Sequence, residues 1–300
     1  MREAIRRIHT VDAGILFMLA SALLSALNGA IAKGLGGEMS ALEIVFWRNL
    51  AGMFFILFAL RHTPPILRGG RPALLLLRGL LGFSAMILFF YTITSIPLGE
   101  AITLNKTSPL FVTLLAFFLM GERLGRWGVF ALFLGFLGVL FITRPWGMSI
   151  SYAHLMGLIG GFLAACAYAT IKRLRHLYDA RMIVLSFTAT GTLAPLLLFG
   201  MAPHLSPPEA LAFLFPEFYW PEGWRVWSLL LLLAFTATLS QWLLTRAYTQ
   251  GRAGIVGVIS YSNIPFAVVF GFWMGDPLPD LWVWSGIGLI VLAGLFLKKA

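Results

Sequence analysis

Charge is what this 300-residue chain has least of. Asp, Glu, Lys and Arg make up 11% of it while 59% is hydrophobic, and mean hydropathy reaches +0.88. An average soluble domain carries about 25% charged residues. A water-soluble globule is excluded, because so few charges cannot solvate a surface, and the chain belongs in a lipid bilayer. Cysteine is nearly missing: Cys166 stands alone, so no intramolecular disulfide can form and no thiolate cluster is available for a metal or redox centre. Acids are scarce, twelve against 22 Lys and Arg, and none falls in the central part of an apolar segment; Glu43 and Glu100 lie near segment ends. A carboxylate proton relay, or a counter-ion for a lipophilic cation, would need an acid at that depth. No metal-ligand set, nucleophile–base pair or phosphate loop occurs, so neither catalysis nor a bound cofactor is indicated. The net charge of +10 reads as cytoplasmic loop charge, and no nucleic-acid partner is expected.

Hydrophobic length is what the chain has in abundance. Ten windows lie near 13–32, 41–60, 73–94, 98–120, 127–143, 153–171, 181–200, 226–248, 253–274 and 281–297, and roughly 20 apolar residues suffice to cross the bilayer as a helix. The N-terminal run imitates a secretory signal, but similar segments follow it, which makes it the first span. Basic residues precede that span (Arg2, Arg6, Arg7) and recur in alternate connections: Arg61, Arg68, Arg71 and Arg78; Arg123 and Arg126; Lys172, Arg173, Arg175 and Arg181; Arg246 and Arg252; then Lys298 and Lys299. The other connections hold mostly acids, with Lys33, Arg144 and Arg225 against them. Since Lys and Arg stay on the cytoplasmic side, both termini are expected there and the span number is even. Trp127, Trp146, Trp224, Trp227, Trp282 and Trp284 form the usual interfacial belt.

The chain also repeats itself. "NKTSPLFVTLLAFFLMGERLGRW" from Asn105 and "YSNIPFAVVFGFWMGDPLPDLW" from Tyr261 each place a proline early in an apolar helix, then Gly-acid (Gly121-Glu122, Gly275-Asp276), then a Trp-containing connection and a glycine-bearing last helix. More weakly, "NGAIAK" ending at Lys33 matches "AYATIK" ending at Lys172. A period of about 155 residues makes two five-helix units, residues 13–143 and 153–297. Five is odd, so the second unit enters the membrane from the opposite side. The expected fold is all-α integral membrane, ten transmembrane helices in two inverted repeats, an arrangement typical of secondary transporters.

These paired patterns, together with "FWRNL" in the second span, resemble the EamA family of the drug/metabolite transporter superfamily, over nearly the whole chain from about Gly14 to Leu297. The resemblance implies two EamA repeats around a central cavity open to one side at a time, in a bacterial inner (plasma) membrane, with the lipid bilayer and a small-molecule substrate as partners. Family members move amino acids, S-adenosylmethionine, opines and other metabolites, and many are exporters. Nothing sets the oligomeric state; a monomer is compatible. The leading expectation is export of an amino acid or other organic anion or zwitterion by alternating access. The alternatives are uptake or exchange of a nucleotide-like metabolite such as S-adenosylmethionine and, outside transport, a membrane-embedded enzyme or receptor.

Lys106 is the most pointed of the candidate site residues. It lies about 10 Å into its span from Gly99, and a lysine at the bilayer centre costs roughly 2.5–3.5 kcal/mol on insertion scales. Glu100, Thr103, Lys106, Thr107 and Thr113 share one side of the helix. Pro109 removes the donor to the Asn105 carbonyl, and Pro265 does the same to Tyr261, so both halves carry a kink at equivalent positions, the best sequence pointer to a transport site. Two answers stay open for Lys106: it holds the anionic group of a substrate, or it pairs with Glu100 or Glu43. Arg48 is the second deep cation, binding substrate or anchoring its helix end. Asn28, with Ser21 and Ser25, Tyr91 with Ser84, Gln241 with Thr238, Thr245 and Tyr248, and Thr103, Asn105, Tyr261 and Asn263 complete the candidate substrate-binding set. His154 and Cys166 are assigned no role. The stretch from Ala202 to Gly223 is expected to lie at the membrane interface or to cap the cavity on the outer face.

Overall fold

The computed structural model describes residues 2–62, 70–120, 125–143, 151–174, 177–250 and 259–297. Among them the chain forms α1 (Arg2–Leu35), α2 (Ala41–His62), α3 (Pro72–Ser95), α4 (Leu98–Asn105), α5 (Ser108–Met120), α6 (Arg126–Thr143), α7 (Tyr152–Leu174), α8 (Ala180–Met201), α9 (Gly223–Gln250), α10 (Asn263–Trp273) and α11 (Leu281–Leu297). The architecture is all-helical. Seven helices are long and apolar enough to cross a membrane, namely α1, α2, α3, α6, α7, α8 and α9; α11 is apolar but shorter.

Three expectations need correction. The window 98–120 is not one kinked helix but two, α4 and α5, interrupted at Lys106 and Thr107. Pro109 sits in the first turn of α5, where a missing N–H breaks no helical bond, so it opens a new helix rather than bending an old one. In the window 253–274 the described part begins with a 3-10 turn at Ser260–Ser262, followed by α10; residues 251–258 lie outside the described ones. Arg78, grouped above with a basic connection, is inside α3, about two turns from its start.

Packing follows a regular scheme: α1 lies along α9, α3 along α7, α2 along α8 and α6 along α11. In a bilayer the hydrophobic effect does not drive helices together, so small residues and interhelical hydrogen bonds must do so. At the α6–α11 crossing a Cβ on Gly138 would lie 2.7 Å from the Gly286 carbonyl oxygen, and one on Gly286 as close to that of Gly138. Along α1 and α9 the glue is polar. Ser21 Oγ donates to Ser240 O (2.8 Å), Ser240 Oγ donates to Ser21 O (2.9 Å), and Asn28 Nδ2 donates to Leu233 O (2.7 Å) and Thr236 Oγ1 (3.0 Å).

One end of the bundle is tied down by side chains. There α1 ends, α2 begins, α3 passes into α4 and α10 ends, and the connection 202–222 folds over them. Phe213 stacks on Tyr91 (4.3 Å between centroids), Phe218 packs against Phe46 and Phe199, and Trp220 against Trp47 and Trp227. The backbone N–H of Tyr219 donates to Glu43 Oε1 (2.8 Å). The connection therefore packs over this end of the bundle.

Candidate functional site

The site is built around the places where helices stop. Inside a membrane every backbone group needs a partner, and interrupted helices persist only where protein or a polar cavity supplies it. At the first interruption α4 ends with Lys106 N–H donating to Ile102 O (2.9 Å) and Thr107 N–H to Leu104 O (3.1 Å); Thr107 Oγ1 also donates to Leu104 O (2.6 Å). Gly161 of α7 faces the Leu104 and Asn105 carbonyls, at 3.1 and 3.7 Å from where its Cβ would be. The close approach of α7 thus covers the frayed turn.

The half-buried Lys106 makes no ion pair among the described residues. Both acids considered for it are occupied elsewhere. Glu100 Oε2 lies 3.1 Å from His154 Nε2, which gives His154 a contact that its sequence position did not announce. Glu43 closes a capping box at the start of α2: its Oε2 accepts from Ser40 N–H and Ser40 Oγ, both at 2.8 Å, and its own N–H donates to Ser40 Oγ (3.2 Å). Neither acid pairs with Lys106, which stands at the end of a broken helix about 12 Å from the covered end.

At the second interruption Tyr261 is buried, and its ring occupies the space left by the missing side chain of Gly294 in α11. Asn263 is also buried; its Nδ2 reaches Ser25 Oγ on α1 at 3.5 Å, while its Oδ1 has no hydrogen-bond partner among the described residues. Pro265 stands in the first turn of α10, as Pro109 does in α5.

The remaining candidates divide. Arg48 lies between α2 and α3: its Nη1 is 3.1 Å from Met86 Sδ, its guanidinium is 5.8 Å from the Phe90 ring centroid, and its Nε has no partner among the described residues. Tyr91 lies beneath the cover through its stack with Phe213. Asn28 is committed to the α1–α9 contact, and Thr103 is fully buried with its hydroxyl donating to Gly99 O (2.6 Å), so both read as structural. Asn105 is half-buried beside Lys106, and Gln241 is exposed on α9. The side chains of Thr113, Thr245 and Tyr248 lie outside the described ones.

Arg78 is the residue sequence reasoning missed. Its guanidinium sits 5.1 Å from the Phe187 centroid of α8, its Nε and Nη1 are buried without partners among the described residues, and a Cβ at Gly82 would collide with it. The signal was available: Arg78, Gly82, Met86 and Phe90 recur every fourth residue of α3, the stripe that also meets Arg48. Three cations within apolar helical segments, Arg48, Arg78 and Lys106, therefore stand without an acidic partner among the described residues, which makes them candidates for the lining of a substrate pathway. No group of three or more His, Cys, Asp or Glu that could hold a metal occurs among the described residues.

Comparison with known proteins gives this geometry a context. Residues 12–144 match the model of the EamA-like transporter family. The pseudopaline exporter CntI of Pseudomonas aeruginosa is 32% identical over 286 residues, 95% of each chain. A riboflavin transporter of Brucella anthropi is 25% identical over 262 residues, 85% of this chain and 87% of its own. A protein crystal structure superposes over 96% of both chains with a TM-score of 0.60 at 19% identity, a likeness of fold.

Proposed function

The chain belongs to the EamA-like transporter family, and from that premise we propose that it exports a small carboxylate-bearing metabolite, an amino acid or other organic anion or zwitterion, by alternating access. It is a multi-pass membrane transporter rather than an enzyme. The observation that carries the substrate class is Lys106: a cation at a helix break in mid-membrane, with Glu100 and Glu43 both engaged elsewhere. Arg48 and Arg78 add positive potential without an acid to cancel it, which favours anions and repels cations. Asn105, Tyr261 and Asn263 complete the site at the two breaks, and Tyr91 covers it from the side of the long connection.

The finer architecture belongs to the same proposal. Residues 13–143 and 153–297 are two inverted five-helix repeats, ten spans in all, with both termini cytoplasmic in a bacterial inner membrane. The packing scheme supports it, because α1 on α9 and α3 on α7 exchange under the repeat while α2 on α8 and α6 on α11 map onto themselves. Export rather than uptake is supported by the relative named as an exporter.

A second reading, uptake or exchange of a nucleotide-like metabolite such as S-adenosylmethionine, draws support from the relatives named riboflavin transporters. Counterflow in proteoliposomes separates the two. With labelled glutamate, succinate, S-adenosylmethionine and riboflavin as probes, transient accumulation of a carboxylate probe is expected. Accumulation confined to riboflavin or S-adenosylmethionine would transfer the assignment to the second reading, and accumulation of none would remove the first.

A further inference from the structure

Lys33 and Asp276 join the two halves of the chain. Lys33 Nζ, in the last turn of α1, lies 2.5 Å from Asp276 Oδ1 and also donates to the Ile96 carbonyl (2.9 Å) in the link between α3 and α4. Asp276 Oδ2, beyond the end of α10, accepts from the Leu98 N–H (2.8 Å) at the start of α4. The pair is largely shielded, with side chains 17% and 13% exposed.

The local chain is shaped to deliver this carboxylate. Gly275 has φ of +92°, in the left-handed region where glycine is free of strain, and the Asp276 N–H turns back to Gly271 O (2.9 Å). Gly271 carries no Cβ because Asp276 Oδ2 lies 2.7 Å from where it would be, and Gly99 likewise admits Val268. α4 has no cap of its own, since Pro97 at its N-cap offers no side-chain acceptor. The opposite half of the molecule supplies one, and a carboxylate there also complements the helix dipole. α4 is eight residues long, with this cap at one end and Lys106 closing the other. So short a helix holds its shape only through such contacts.

We propose that Lys33 and Asp276 form the gate on the covered side of the transport pathway, and that Asp276, by capping α4, is a positioning residue for Lys106. Opening toward that side must separate α10 from α1 and α4, which breaks the ion pair and uncaps α4 together. The substrate site and the gate are then coupled through about two rigid turns of helix. This rests on the transport reading above, but its test does not need the substrate.

Single cysteines placed at Ser25, in a Cys166→Ser background, report access to the Asn263 layer when labelled with a membrane-impermeant maleimide in right-side-out and inside-out vesicles. Lys33→Gln and Asp276→Asn are expected to raise labelling from the covered side about fivefold or more, and Asp276→Ala further, because Asn can still accept from Leu98 N–H and Ala cannot. Labelling from the other side should fall in step. Unchanged sidedness in Lys33→Gln and Asp276→Ala proteins of native melting temperature would overturn the gate. Should those variants not fold, cysteines at 33 and 276 joined by a short bifunctional thiol reagent give a second test: the link is expected to hold the covered side shut to labelling until reduced. Labelling from that side at the parent rate while linked would overturn the proposal. If no probe is transported but sidedness shifts as stated, the gate stands and only the substrate assignment falls.

Discussion

At Lys106 and at Tyr261–Asn263 the chain interrupts its helices just before a proline, Pro109 in one case and Pro265 in the other, and α5 and α10 begin with those prolines in their first turn. The backbone is handled alike; the side chains are not. The first break presents an ammonium group with no acid paired to it among the described residues. The second presents an aromatic ring seated on Gly294 and a buried amide whose Oδ1 lacks a partner among the described residues. On the proposed reading the two breaks are equivalent points of a repeat, and the residues placed there would divide the chemistry: a cation for an anionic group on one side, a neutral acceptor on the other. A zwitterion would use both, a simple anion only the first.

Removing the charge from the first break has the largest expected effect. Lys106→Gln should weaken binding of a carboxylate substrate about 30–100-fold, the loss of a charge-assisted contact of about 2–3 kcal/mol. Its melting temperature should hold or rise, since a buried charge without a counter-charge is lost. Direct binding and thermal unfolding check both halves, and wild-type affinity would erase the contrast between the breaks. Crowding the second break comes next: Gly294→Leu drives a side chain into the Tyr261 ring and is expected to destabilise the protein by about 2 kcal/mol, read as a lower melting temperature. Asn263→Leu keeps the volume and removes the acceptor. It should reduce affinity about 5–10-fold for an amino acid, roughly one hydrogen bond, and leave a dicarboxylate without an amine unaffected; equal losses for both would deny the division of chemistry. The smallest effect belongs to Asn28→Leu, which removes two interhelical bonds of about 0.6–1.5 kcal/mol together and should lower stability without touching affinity.

The all-helical architecture was legible, because membrane helices announce themselves by length, and seven of those described are long and apolar enough to cross a bilayer. The breaks were legible only as kinks. A proline signals that one hydrogen bond is absent, but whether the helix bends or stops depends on neighbours, here Gly161 of α7 covering the Leu104 and Asn105 carbonyls. The candidate site was read less evenly. Lys106 stood out as a candidate because charge is conspicuous in an apolar run. Arg78 was missed because it lies near a helix start, where it blends with loop arginines until the stripe through Gly82, Met86 and Phe90 is considered. Asn28 and Thr103 were drawn into the set by polarity alone, and polarity in a helix does not distinguish a ligand contact from a bond to the next helix or to the preceding turn. The Lys33–Asp276 contact joins residues at opposite ends of the chain, and no local pattern connects them.

The lone charge of Lys106 also has an electrical meaning. A cell interior is negative, and moving one elementary charge through the full field is worth about 2.3 kcal/mol per 100 mV. An empty carrier whose site holds one uncancelled positive charge is drawn to the state in which that site faces the cytoplasm. An anion bound there neutralises it, and the loaded carrier turns outward without opposing the field. On release the bare charge returns and the potential pulls the site back to load again. If the chain exports an anion past Lys106 as proposed, the membrane voltage would drive each cycle through the unloaded protein, and an inward cycle would have to run against it.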